Sequence, residues 1–136
     1  MKYSMFIGRW QPWHKGHRWL IDQRLNDNKN VLICIRDMET DENNPYTAEE
    51  VKINVEKSLN DLVSSKRVKV IIIPDIESVN YGRGVGYEIN EYQSPSESGA
   101  MFISATKIRD SIKNKDDKWK SMVDESLHND IESYLS

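Results

Sequence analysis

The chain has 136 residues, 38% hydrophobic and 30% charged, with a formal net charge of −3. That suits one domain over residues 1–136, which buries roughly two-thirds of its unfolded surface without a disulfide or metal staple. The acidic total speaks against a general nucleic-acid-binding face, though not against a small basic pocket, and the single cysteine excludes a disulfide within the chain.

The N-terminus MKYSMFIG lacks the apolar core of a signal peptide. Tyr3 to Ile7 is instead a short apolar run ending at Gly8, a first strand. Gly8 to Gly16 reads as a loop broken by Pro12, and a helix is expected from about His17 to Asn26 with Leu20, Ile21 and Leu25 on one face. Asn30 to Arg36 is a second strand, whose unbroken apolar run VLICI predicts burial on both faces, Cys34 included. A polar loop DMETDENNP follows. Thr47-Ala-Glu-Glu50 then has the capping-box form, and Val51, Val55, Leu59 and Leu62 mark a helical stripe. Val68 to Ile73 is a third buried strand, stopped by Pro74. Strand, helix, strand, helix, strand predicts a parallel sheet with helical crossovers, a Rossmann-like α/β/α architecture.

Asp75 to Gly99 carries YGRGVGY, whose G-x-G-x-G spacing without a clear preceding strand is not a dinucleotide fingerprint. It reads as a surface turn or a substrate loop, with a short helix or strand around Val85 to Tyr92. Met101 to Ile103 is a brief final strand, and a helix through Ile112 starts with Ser104 or Thr106 as its cap. An amphipathic helix from about Asp117 to Leu135 closes the chain, with Trp119, Val123, Leu127, Ile131 and Tyr134 inward. No apolar run approaches the ~18 residues of a membrane span. No targeting segment is expected, and a cytoplasmic location fits the lone cysteine.

The stretch GRWQPWHKGH, Gly8 to His17, raises three readings. A zinc site needs at least three protein ligands, and no third is suggestively placed, so no metal residues are expected. Trp10, Trp13 and Trp19 could pack around two histidines that satisfy local backbone groups. The third reading is phosphate handling, because a loop after the first strand of an open parallel sheet lies where such sheets bind ligands. Gly16 allows close approach there, and His17 adds an imidazole to the positive end of a helix.

GRWQPWHKGH resembles the HxGH signature of the nucleotidylyltransferase superfamily, with His14 and His17 in the histidine positions. Its form is most similar to the archaeal-type nicotinamide mononucleotide adenylyltransferases. A second signature, ISxTxxR, is matched by Ile103 to Arg109 about 90 residues later, and NPYT at Asn44 to Thr47 resembles the NPFT segment of that branch. The resemblance spans Tyr3 to about Ile112. It implies transfer of a nucleoside monophosphate from a triphosphate to a phosphate-bearing acceptor, with release of pyrophosphate. The acceptor oxygen is already ionised, so alignment and charge stabilisation carry the reaction rather than a general base.

In that frame His17 contacts the α-phosphate and His14 the pyrophosphate side. Ser104 and Thr106 cradle the β- and γ-phosphates, with Lys107 beside them, and Arg109 neutralises the leaving group. Gly8, Arg9, Trp10 and Gly16 belong to the nucleotide site, Trp10 with core packing as its alternative. Arg9, Asn80 and Arg83 are placed at the acceptor. Tyrosine follows Asn80 where the nicotinamide branch has tryptophan, which leaves the acceptor open. Mg²⁺ is expected on the substrate phosphates. The implied partners are a nucleoside triphosphate and a phosphorylated small molecule, with neither nucleic acid nor membrane; further copies of the chain are an open question. A cytidylyltransferase acting on a phosphorylated alcohol and a catalytically silent nucleotide-binding module are the competing functions.

Overall fold

A computed structural model describes residues 1–82, 86–92 and 105–135. Strand β1 (Tyr3–Gly8) leads through a loop to helix α1 (Lys15–Leu25), then β2 (Asn30–Asp37), helices α2 (Ala48–Ser58) and α3 (Asn60–Ser64), and β3 (Val68–Pro74). Helix α4 (Ala105–Lys113), two 3-10 turns (Lys118–Met122 and Glu125–Leu127) and helix α5 (His128–Leu135) complete the described elements. The three strands are parallel in the order β1-β2-β3, with helices flanking them, the Rossmann-like arrangement expected from the alternation of elements.

Register explains how the sheet is packed. Ser4, Val31 and Val68 lie side by side, as do Phe6, Ile33 and Val70, so one face carries the most deeply buried positions. Helix α1 packs on β2, and α2 packs on β2 and β3. The other face holds Cys34, which is buried, but also Met5, which is 57% exposed, and the exposed Lys69. Strand β3 is therefore less buried than its apolar run predicts: Ile71, Ile72 and Ile73 are half-exposed, because β3 is an outer strand of the described sheet. One core runs from the loop tryptophans through the sheet and α2 to Ile108, Trp119, Val123, Leu127 and Ile131.

Helix α2 starts as its sequence dictates. Thr47 Oγ1 accepts from the Glu50 N–H at 3.1 Å and Glu50 Oε1 accepts from the Thr47 N–H at 3.0 Å. The stripe through Leu62 is interrupted at Leu59, which separates α2 from α3. Thr106 lies inside α4 and is not its cap; Ser104 and the expected strand at 101–103 lie outside the described residues. Residues 86–92 form neither helix nor strand, contrary to the expectation for that stretch.

The closing segment is not one helix. Val123 is extended, with φ −127° and ψ 145°, and Asp124 accepts from the Ser126 N–H at 2.9 Å to start a new turn. Short polar side chains that bond locally compete with the helical ladder. The interruption leaves carbonyls that the third histidine meets: His128 Nε2 lies 2.8 Å from Lys120 O and 3.2 Å from Val123 O, with its ring against Trp119. Trp119, Val123, Leu127 and Ile131 nevertheless all face the core. Among the described residues, no helix is long and apolar enough to cross a membrane.

Candidate active site

The loop after β1 and the start of α1 are organised by the two histidines themselves. Helix α1 begins at Lys15, earlier than periodicity suggests, with His14 as its N-cap. His14 Nδ1 accepts from the Gly16 N–H at 3.0 Å and from the His17 N–H at 3.3 Å. His17 Nδ1 accepts from the His14 N–H at 3.2 Å. This is a capping box in which imidazole nitrogens replace the usual hydroxyl and carboxylate oxygens. It explains the three-residue spacing, since only the N-cap and the third helical residue can exchange these bonds.

The consequence is chemical. A ring nitrogen that accepts a backbone N–H carries no proton, so both neutral imidazoles hold theirs on Nε2. The rings stack, 3.6 Å between centroids and 17° between planes. Burial pushes the His14 pKa down to about 4. His17 lies well below the usual histidine range, first through burial and then through the neighbouring His14. Both rings are thus neutral near pH 7, and each presents an Nε2–H donor with no protein partner among the described residues. The Gly16 and His17 N–H groups, which at a helix start could meet an anion directly, are instead turned into His14.

Tryptophans hold the pair in place. His17 packs edge-on to Trp10 at 4.8 Å and tilted against Trp13 at 5.4 Å, and the two indoles meet edge to face at 5.4 Å. Trp10 is 5% exposed, and its Nε1–H donates to the Cys34 carbonyl at 3.1 Å. Of its two sequence readings, the structure takes the core one: the ring supports His17 rather than offering an open stacking surface. Trp10 adopts a left-handed backbone, φ 55°, which folds its indole over Gly8. A Cβ at Gly8 would lie 2.8 Å from Trp10 Cε2 and Cζ2. Gly8→Ala is therefore expected to destabilise the fold by about 1–3 kcal/mol through overpacking. Urea unfolding tests this, and a midpoint within error of wild type would show that the indole can move aside.

Arg109 is brought to the same loop. From α4 its Nη1 donates to the Gln11 carbonyl at 2.7 Å, and its Nη2 to Thr106 Oγ1 at 3.3 Å. Among the described residues no carboxylate pairs with Arg109. The two distant motifs thus meet, although the loop and α4 are about 100 residues apart.

The chain shows 31% identity to the nicotinamide-nucleotide adenylyltransferase of Thermoplasma acidophilum over 58% of its own length, although the match spans only 43% of that relative. It shows 26% identity to the enzyme of the same name from Methanococcus aeolicus, covering 95% of this chain and 87% of the relative. The figures for Sulfolobus acidocaldarius are 28%, 91% and 85%. No family model matches. The chain is thus similar to archaeal nicotinamide-nucleotide adenylyltransferases.

Arg9, Asn80, Thr106 and Lys107, also expected from likeness to these adenylyltransferases, are all exposed. Arg9 is exposed near the turn at Asp41, whose carboxyl is held below its usual range first by the Asn44 side chain and, more weakly, by Arg9. Thr106 and Lys107 are exposed on α4. Asn80 is exposed and donates to Ser78 Oγ at 2.8 Å. Arg83 and Ser104 lie outside the described residues. Among the described residues no group of three or more His, Cys, Asp or Glu is placed to hold a metal ion. Two residues escaped sequence reasoning altogether. Gln11 and Tyr46 pair through the Gln11 amide and the Tyr46 backbone, at 2.9 Å in both directions. Their one signal was that each lies inside a segment carrying the family likeness, GRWQP and NPYT.

Proposed function

We propose that this chain is an adenylyltransferase that moves AMP from ATP to a phosphate-bearing nucleotide and releases pyrophosphate, with nicotinamide mononucleotide as the acceptor. The observation that carries this reading is the histidine capping box. It fixes two stacked, neutral imidazoles whose Nε2–H donors have no protein partner among the described residues, beside the loop that also receives Arg109. Each of the relatives named above is an adenylyltransferase by name, which favours ATP over CTP.

An oxygen of the acceptor phosphate attacks the α-phosphorus, the α–β bridging bond breaks, and its electrons leave with pyrophosphate. His17 Nε2–H donates to an α-phosphate oxygen as charge grows there, and His14 Nε2–H serves the departing pyrophosphate. Donors already locked in place need no reorganisation as the charge develops. Arg109 offers a planar fork to the β- and γ-phosphates, beside Ser104, Thr106 and Lys107. Gly16 keeps a side chain away from the nucleotide, and Gly8 serves the site by leaving room for the Trp10 indole that supports His17. Arg9, Asn80 and Arg83 are assigned to the acceptor. The donor set of N–H groups and cations suits phosphate oxygens, so Mg²⁺ would be held by the nucleotide itself and would supply charge shielding there. The single buried Cys34 suits a cytoplasmic setting.

The decisive experiment is pyrophosphate release with ATP, CTP, GTP and UTP against a panel of phosphorylated acceptors. Release with ATP and nicotinamide mononucleotide is expected; preference for CTP would overturn the assignment, and binding without release would mark a nucleotide-binding module. Arg109→Ala should raise the KM for ATP about 10- to 100-fold, the scale of a lost charge-assisted hydrogen bond. Unchanged triphosphate kinetics would remove Arg109 from the cradle.

A further inference from the structure

Gln11 is a buried polar residue, 8% exposed, in the loop between β1 and α1. Its side-chain amide binds the Tyr46 backbone on both sides: Nε2–H donates to the Tyr46 carbonyl and Oε1 accepts from the Tyr46 N–H, each at 2.9 Å. Tyr46 is itself 1% exposed and directly precedes Thr47, the cap of α2. Just before it, Asp41 Oδ1 accepts from the backbone N–H groups of Asn43 and Asn44 and from Asn44 Nδ2, so this turn is internally braced. The carbonyl of the same Gln11 accepts Arg109 Nη1 at 2.7 Å. One residue thus joins the loop after β1, the loop after β2 and the arginine of α4.

We infer that Gln11 is a positioning residue: its clamp on Tyr46 holds the carbonyl that aims the Arg109 guanidinium. The clamp explains a polar side chain in a core flanked by Trp10 and Trp13, and it acts on ligand only through Arg109. The inference about catalysis rests on the adenylyl-transfer reading; the inference about geometry does not.

The test begins with the free protein. In arginine side-chain NMR, the Arg109 guanidinium is expected to rotate slowly in wild type, its signal being assigned by its loss in Arg109→Lys. Gln11→Met keeps the side-chain volume and removes both clamp bonds, so the slowed signal should disappear. Gln11→Glu, nearly isosteric, removes only the donor and serves as the second variant should Gln11→Met not fold. A slowed Arg109 signal that persists in a folded variant overturns the inference. In turnover, Gln11→Met should raise the KM for ATP about 10-fold in the wild-type background and less than about twofold in Arg109→Ala, the non-additivity expected of two residues acting as one. Equal effects in both backgrounds would reduce Gln11 to a structural part and overturn the inference. If the NMR result holds and wild type turns over no nucleotide, the adenylyl-transfer reading fails while the positioning of Arg109 by Gln11 stands.

Discussion

His17→Ala is expected to lower kcat by about 100-fold or more, the scale for losing one preorganised donor to a developing oxyanion. The alanine also removes the Nδ1 that accepts the His14 N–H and the ring packed between Trp10, Trp13 and His14. His17→Gln separates these roles. Glutamine at the third helical position closes an ordinary capping box, so helix α1 keeps its start while the imidazole Nε2–H is gone. The glutamine variant should therefore melt closer to wild type than the alanine variant and still lose about 100-fold in kcat. Activity within about threefold of wild type in either folded variant would take His17 out of the mechanism.

The second large effect is on stability against pH. Burial holds the folded His14 pKa at about 4, against an ordinary 6.5. As pH falls through 6.5 the unfolded chain takes up this proton and the folded chain does not, so unfolding gains. The stabilisation is complete above pH 6.5 and is lost progressively as pH falls to about 4. Its full size is about 3 kcal/mol for His14 alone, and His17 acts in the same direction. Asp41, Asp116 and Asp124, whose carboxyls also lie below their ordinary value of 3.8, contribute only at lower pH. His14→Asn keeps an N-cap acceptor and removes the titration. Urea midpoints at pH 7.5, 5.5 and 4.5 should fall more steeply for wild type than for His14→Asn. Parallel curves would show that His14 titrates normally in the folded protein.

Both effects arise from the same arrangement, and it was only half legible. The spacing of His14 and His17 and the strand before them pointed to the ligand edge of a parallel sheet. That they cap a helix was hidden, because cap signals are read from serine, threonine, aspartate and asparagine. An imidazole acts as a cap only when a helix N-terminus is already turned against it, a matter of backbone direction rather than residue type. The true start of α1 was missed for the same reason. By contrast Thr47 and Glu50 gave α2 a start that could be read directly, since their side chains need nothing beyond the next turn.

Likewise Val31 to Ile35 announced a central strand through their own hydrophobicity. The identical logic overestimated β3, whose burial depends on having neighbours on both sides. Trp119, Val123, Leu127 and Ile131 of the expected stripe are buried, Tyr134 having its side chain outside those described, but the stripe did not show the broken backbone beneath it. By itself, then, the sequence determined the three described strands, their parallel α/β order and the residue types suited to phosphate, because these follow from short-range patterning and local capping. Only the tertiary structure decided the tautomer of the histidines, the burial of Trp10 and the clamp from Tyr46 through Gln11 to Arg109. Those depend on groups up to 98 residues apart in the chain, which meet only after the sheet and its helices have packed.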